Sequence, residues 1–152
     1  MKTIYLTLTI NKSEINREIF ENFTIINCYE ILDKYNYNLL KDTNLTRVEY
    51  LTTEIIKTES NLIICDTNLN VEDILRLSEN IKLSNFYINK IIVPNEIKRN
   101  KLLAEGQEMY KNHNRWIDFY PGQIEEVHNE FEMKIKNLKS TFENTETEIL
   151  EI

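Results

Sequence analysis

Leu62-Ile63-Ile64-Cys65-Asp66-Thr67-Asn68-Leu69-Asn70 is the stretch on which the fold turns. Its first four residues are apolar without alternation, the pattern of a strand covered on both faces in a parallel sheet. It ends in an acid and leads through Asn68 toward a helix, because Ile74, Leu75, Leu77 and Ile81 recur at helical spacing between Val71 and Leu83. Upstream, Phe23 to Cys28 reads as a strand and Tyr29 to Leu40 as a helix, and Thr46 to Lys57 continues helically after the polar break Asp42-Thr43-Asn44. Earlier still, Ile4 to Thr9 alternates in the manner of a strand, and Ser13 opens a helix carrying Ile15, Ile19 and Phe20. Downstream, Phe86 to Val93 is a fourth strand. Strands alternating with helices predict right-handed crossovers and a parallel α/β sheet.

Beyond Pro94 a locally basic helix runs from Glu96 to about Asn112, with Lys98, Arg99, Lys101 and Lys111, and its run Lys98 to Lys101 is either a solvated face or a nucleic-acid contact. An aromatic patch follows, Trp116, Phe119 and Tyr120, either core or an exposed partner-binding surface, before the turn Pro121-Gly122. From Ile124 to Phe142, Val127, Phe131, Ile135, Leu138 and Phe142 are spaced by three and four, which predicts a long amphipathic helix that docks one face. The organisation expected is one domain over residues 1–142 and an acidic, frayed tail over 143–152.

The whole chain has 152 residues, the size of one domain with one sizeable core. Hydrophobic residues make up 41% and charged residues 28%, which excludes a disordered chain. Apolar runs are far too short to cross a bilayer, and no signal peptide is visible, so no membrane partner is expected and the expected compartment is cytoplasmic. Cys28 and Cys65 close apolar runs and read as buried, reduced thiols. His113 and His128 have no nearby Cys or paired acids, so neither a metal nor another cofactor is expected. The net charge of −7 comes from 18 basic and 25 acidic residues, and eight Glu beyond residue 124 carry most of the excess. Such a chain does not bind DNA by bulk electrostatics.

Ile63-Ile64-Cys65-Asp66-Thr67-Asn68-Leu69-Asn70 resembles the corresponding element of the phage 5′-polynucleotide kinase family. Met1-Lys2-Thr3-Ile4-Tyr5-Leu6-Thr7 is similar to that family's first strand, and Phe23-Thr24-Ile25-Ile26-Asn27 to its second. Val93-Pro94-Asn95-Glu96-Ile97-Lys98-Arg99-Asn100 resembles its passage from the fourth strand into the lid helix. The resemblance spans residues 1 to 112 and implies a P-loop-kinase-like parallel sheet flanked by helices. Abundant Ile, Asn, Lys, Glu and Tyr fit an AT-rich phage or bacterial genome.

Where the sequence departs from the family, the chemistry is lost. A P-loop needs glycines so that successive N–H groups can wrap a phosphate. Here the loop is Thr9-Ile10-Asn11-Lys12-Ser13, in which only the Lys-Ser pair survives, and Gly106 and Gly122 are the chain's two glycines. The family's Asn-Arg-Asp-Asp supplies the base for the 5′-hydroxyl, whereas the aligned residues are Asn27-Cys28-Tyr29-Glu30, and tyrosine is a poor base at neutral pH. The lid motif Arg-Asn-x-x-Arg becomes Arg99-Asn100-Lys101-Leu102-Leu103, without its second arginine.

Three vestigial positions remain. Asp66 is either a metal-facing carboxylate, as the resemblance implies, or, together with Asn68, a cap for the helix that starts near Asn70. Lys12 and Ser13 either hold a phosphate at a helix start or serve as a solvated cation and a cap. The expectation is a catalytically inactive protein that works by binding, through Trp116, Phe119, Tyr120, Arg115, Lys98 and Arg99. Its size and stripped site resemble the small Alc-type phage transcription terminators. That likeness implies host RNA polymerase, or another nucleic-acid enzyme, as the partner, in the host cytoplasm, with weak or indirect contact to DNA. The alternatives are a residual kinase and a module that binds nucleic-acid ends through Lys98, Arg99 and Arg115.

Overall fold

Among the described residues five strands and five helices follow one another in the order β1 (Ile4–Thr7), β2 (Phe23–Asn27), α1 (Cys28–Lys34), α2 (Asn44–Lys57), β3 (Asn61–Cys65), α3 (Val71–Lys82), β4 (Lys90–Val93), α4 (Glu96–Asn112), α5 (Gly122–Phe142) and β5 (Glu148–Glu151). This computed structural model describes residues 2–8, 21–36, 42–66, 69–112 and 122–152. The expected helix from Ser13 and residues 37–40 lie outside them, and the helix expected to reach Leu40 ends at Lys34, with Asn36 in a left-handed turn at φ 50°.

The strands form a parallel sheet in the order β2-β3-β1-β4-β5. Leaving β1, the chain goes to the far edge at β2, then steps back through β3 and across β1 to β4 and β5. The connections that leave β1 and β3 run in opposite directions, so the order switches between these two neighbours. In open parallel sheets such a switch opens a crevice at the carboxyl ends of the flanking strands, here β1 and β3. The α/β alternation read from the sequence is thereby realised, and the architecture is compatible with a P-loop-like kinase sheet.

Alternation along the strands divides the core in two. Ile4, Leu6, Leu8, Ile26, Leu62, Ile64, Ile91 and Val93 pack against Ile31 of α1, Val48, Leu51 and Ile55 of α2, Ile74, Leu77 and Ile81 of α3, and Ile135, Leu138 and Phe142 of α5. On the opposite face Ile63, Cys65 and Ile92 are buried with Tyr5, Phe23, Ile25, Leu150 and Ile152 against them. β3 is thus buried on both faces, as its uninterrupted apolar run requires.

Several boundaries differ from the sequence reading. Cys28 opens α1 directly after β2, and β4 starts at Lys90 instead of Phe86. Asn85 explains the latter: its φ of 61° takes the left-handed turn that ends α3, and the N–H of Phe86 returns to the carbonyl of Ile81 at 3.1 Å. Asn89 then bridges into the sheet, its Oδ1 accepting from the N–H of Ile4 at 2.8 Å.

The tail expected to fray is corrected more strongly. Glu148–Glu151 pairs in parallel with Lys90–Val93, and the N–H of Asn95 donates to the carbonyl of Ile152 at 3.0 Å. Ile149 and Leu150 enter opposite faces of the sheet, and the flanking glutamates meet Lys90, Arg99 and Lys139. The α5 stripe is also shorter than expected. Phe131, Ile135, Leu138 and Phe142 face the core, whereas Val127 is 65% exposed.

A polar knot ties α1 to α2. Buried Glu54 accepts from Lys34 Nζ at 2.5 Å and from the hydroxyl of Tyr35 at 2.8 Å, and Tyr35 stacks on Tyr50 with ring centroids 4.4 Å apart. Burial and the Glu54 carboxylate push the Tyr35 hydroxyl up to about 12. Burial also pushes Glu54 upward, but Lys34 and Tyr35 outweigh it and hold Glu54 below the ordinary glutamate value. A lowered carboxylate stabilises the fold above the unfolded-state value, and that contribution is lost as pH falls through the folded-state value. Acid titration of the melting temperature is expected to show this loss, and Glu54→Gln to flatten the profile below the ordinary carboxylate range.

Candidate functional site

At the carboxyl end of β3, beside β1, Asp66 is wholly buried, and its N–H donates to the carbonyl of Thr7 at 3.1 Å. Its carboxylate is gripped by Arg47. Nε donates to Oδ2 at 2.8 Å and Nη2 to Oδ1 at 2.6 Å, a bidentate fork of the kind guanidinium groups make. Arg47 stands one turn into α2, after the Thr43 cap, on the same inward stripe as Val48 and Leu51. The helix therefore delivers the cation to the end of the strand.

This corrects the reading of Asp66 as a helix cap. The cap of α3 is Asn70, whose Oδ1 accepts from the N–H of Asp73 at 2.8 Å while Asp73 Oδ2 accepts from the N–H of Asn70 at 3.1 Å. That reciprocal capping box satisfies the helix start without Asp66. Asn68 lies outside the described residues. A metal ion facing Asp66 would share both carboxylate oxygens with the Arg47 guanidinium.

Lys134 of α5 completes the charge cluster. Burial pulls its ammonium below the ordinary lysine value, and the charges of Asp66 and Asp73 pull it back up. It lines a cleft of about 490 Å³ between α3 and α5, with Asn70, Val71, Glu72, Glu130, Met133 and Asn137. Among the described residues no group of three His, Cys, Asp or Glu side chains is arranged to hold a metal ion.

Arg99 is also corrected. Expected on a solvated or partner-binding face, it is only 6% exposed. Its guanidinium meets Glu132 on α5 and Glu151 on β5, so it serves the interior. Lys98 beside it is exposed, with its N–H on the Oδ1 of Asn95 at 2.9 Å, and Lys101 is exposed and 3.9 Å from Glu105. Lys12, Ser13, Arg115, Trp116, Phe119 and Tyr120 lie outside the described residues, as does His113. His128 is half-buried, 3.8 Å from Glu132.

Sequence reading missed Arg47, Lys134, Glu132 and Glu151 as partners. One signal was present: Arg47 interrupts an apolar helical stripe, and Asp66 ends an apolar strand. A charge on each inward face asks for its opposite. No family model, curated protein or solved structure matches this chain.

Proposed function

We propose that this chain is a catalytically inactive, polynucleotide-kinase-like protein that acts by binding host RNA polymerase on DNA, in the manner of the Alc-type transcription terminators it resembles. The observation that carries the reading is the Arg47–Asp66 pair. At the strand end where the kinase resemblance asks for a metal-facing acid, the acid is fully buried under an internal guanidinium.

The sequence departures point the same way. The segment Thr9 to Ser13 has no glycine, Tyr29 stands where the base should be, and Leu103 replaces the lid arginine. A general base contributes about 10²–10⁴ in rate and a transition-state arginine about 10³–10⁵, so a site lacking both retains little chemistry. Such a domain works through its surface. A net charge of −7 suits the basic groove of a nucleic-acid enzyme and disfavours DNA by itself. Trp116, Phe119 and Tyr120, with Lys98 and Arg115, are the contact residues, because large aromatic rings dominate interface energetics.

The test is co-purification of host RNA polymerase with the tagged chain, compared with a Trp116→Ala, Tyr120→Ala double variant. Polymerase is expected with the parent and is lost with the variant. Failure to recover polymerase, or tight binding to free duplex DNA without it, overturns the proposal. Titration calorimetry with Mg-ATP is expected to be flat, and a low-micromolar Kd would return the chain to the kinases.

A further inference from the structure

From Glu96 to Glu105, α4 is held to the fold by charge where a helix is ordinarily held by an apolar stripe. From Glu96 to Glu105 only Arg99 is buried and Leu103 half-buried, while Ile97 is 80% and Leu102 51% exposed. Arg99 reaches three separate places. Nη1 donates to the carbonyl of Pro94 at 2.7 Å, where the chain leaves β4. Nε and Nη2 donate to the two carboxylate oxygens of Glu132 on α5, at 2.5 and 3.1 Å. Nη1 also reaches Glu151 Oε1 on β5 at 3.2 Å, and Lys139 Nζ donates to that same oxygen at 3.0 Å. The backbone repeats the linkage, since Asn95 bonds the carbonyl of Ile152 and accepts from the N–H of Arg99, at 3.0 Å each.

We propose that α4 and β5 form one releasable unit, pinned by Arg99, that opens and closes together while β1 and β3 stay folded. The inference is independent of the proposed function. β5 is a four-residue edge strand whose Ile149 and Leu150 are only half-buried, and α4 buries no apolar side chain from Glu96 to Glu105, so the Arg99 clasp is shared by both. Elements with few buried apolar contacts are those that open locally. Release uncovers the backbone edge of β4 from Lys90 to Val93. Arg99 thereby gates that edge.

Native-state hydrogen exchange on the full chain tests this. A Glu132→Gln, Glu151→Gln variant keeps the side-chain shapes and removes both charges, and Glu126→Gln, Glu143→Gln serves as the charge-matched control. The amides of Arg99 and Ile152 are expected to share one opening in the parent. In the variant both accelerate by about tenfold or more and by the same factor, while Leu62 and Asp66 in the β3 ladder are unchanged and the control behaves like the parent. Arg99 and Ile152 responding by different factors, neither responding, or β3 accelerating with them overturns the proposal.

Discussion

Asp66→Ala is expected to lower the unfolding free energy by about 3–5 kcal/mol, read by urea denaturation, because it strands the buried Arg47 guanidinium without its counter-charge. A helix-cap role would cost only about 0.5–2 kcal/mol. The two origins separate cleanly in a second variant. Arg47→Met with Asp66→Leu replaces the pair by apolar groups, and buried pairs exchanged in this way are often neutral or stabilising. The double variant is therefore expected to regain most of what Asp66→Ala loses. If it remains as unstable as Asp66→Ala, the ion pair is not the source of the loss.

Leu138→Ala on α5 is expected to cost about 2–5 kcal/mol, since Leu138 is fully buried among sheet and helix side chains and its removal leaves a cavity. Val127→Ala on the same helix is expected to stay within about 0.5 kcal/mol of the parent, as exposed substitutions do. Both residues belong to the apolar periodicity that predicts the helix, yet only one is packed. Chemical denaturation of the two variants measures where the docked face of α5 ends. Equal losses would mean that the stripe is buried throughout.

That contrast shows where sequence reading holds and where it runs out. The parallel α/β sheet was legible because it rests on local pattern: Leu62 to Cys65 is apolar at every position, and α3 announces itself by Ile74, Leu77 and Ile81. The α3 capping box is equally local, an Asn70 followed three residues later by Asp73, yet the sequence reading sets the cap at Asp66 and Asn68. The charged contacts were not local. Arg99 looked like one member of a basic run because its partners lie 33 and 52 residues further on. Asp66 looked like a cap because its partner lies 19 residues back on another element. β5 was hidden for a related reason, since Glu-Ile-Leu-Glu shows little strand pattern by itself and edge strands tolerate charge.

The sheet order has a consequence for how the chain is born. β1 is its centre, yet both of its partners are distant: Thr3 meets the side chain of Asn61 58 residues later, and Ile4 meets Asn89 85 residues later. A ribosome adding roughly 5–20 residues per second leaves the emerging first strand without its neighbour on one side for roughly 3–12 s, and without the other for longer still. Throughout that interval Ile4, Leu6 and Leu8 are apolar residues of a nascent chain with no sheet to enter. Chaperones that shield emerging apolar segments therefore have their longest opportunity at the amino-terminal strand, and stalled translation before β4 would leave the centre of the fold open to the wrong partners.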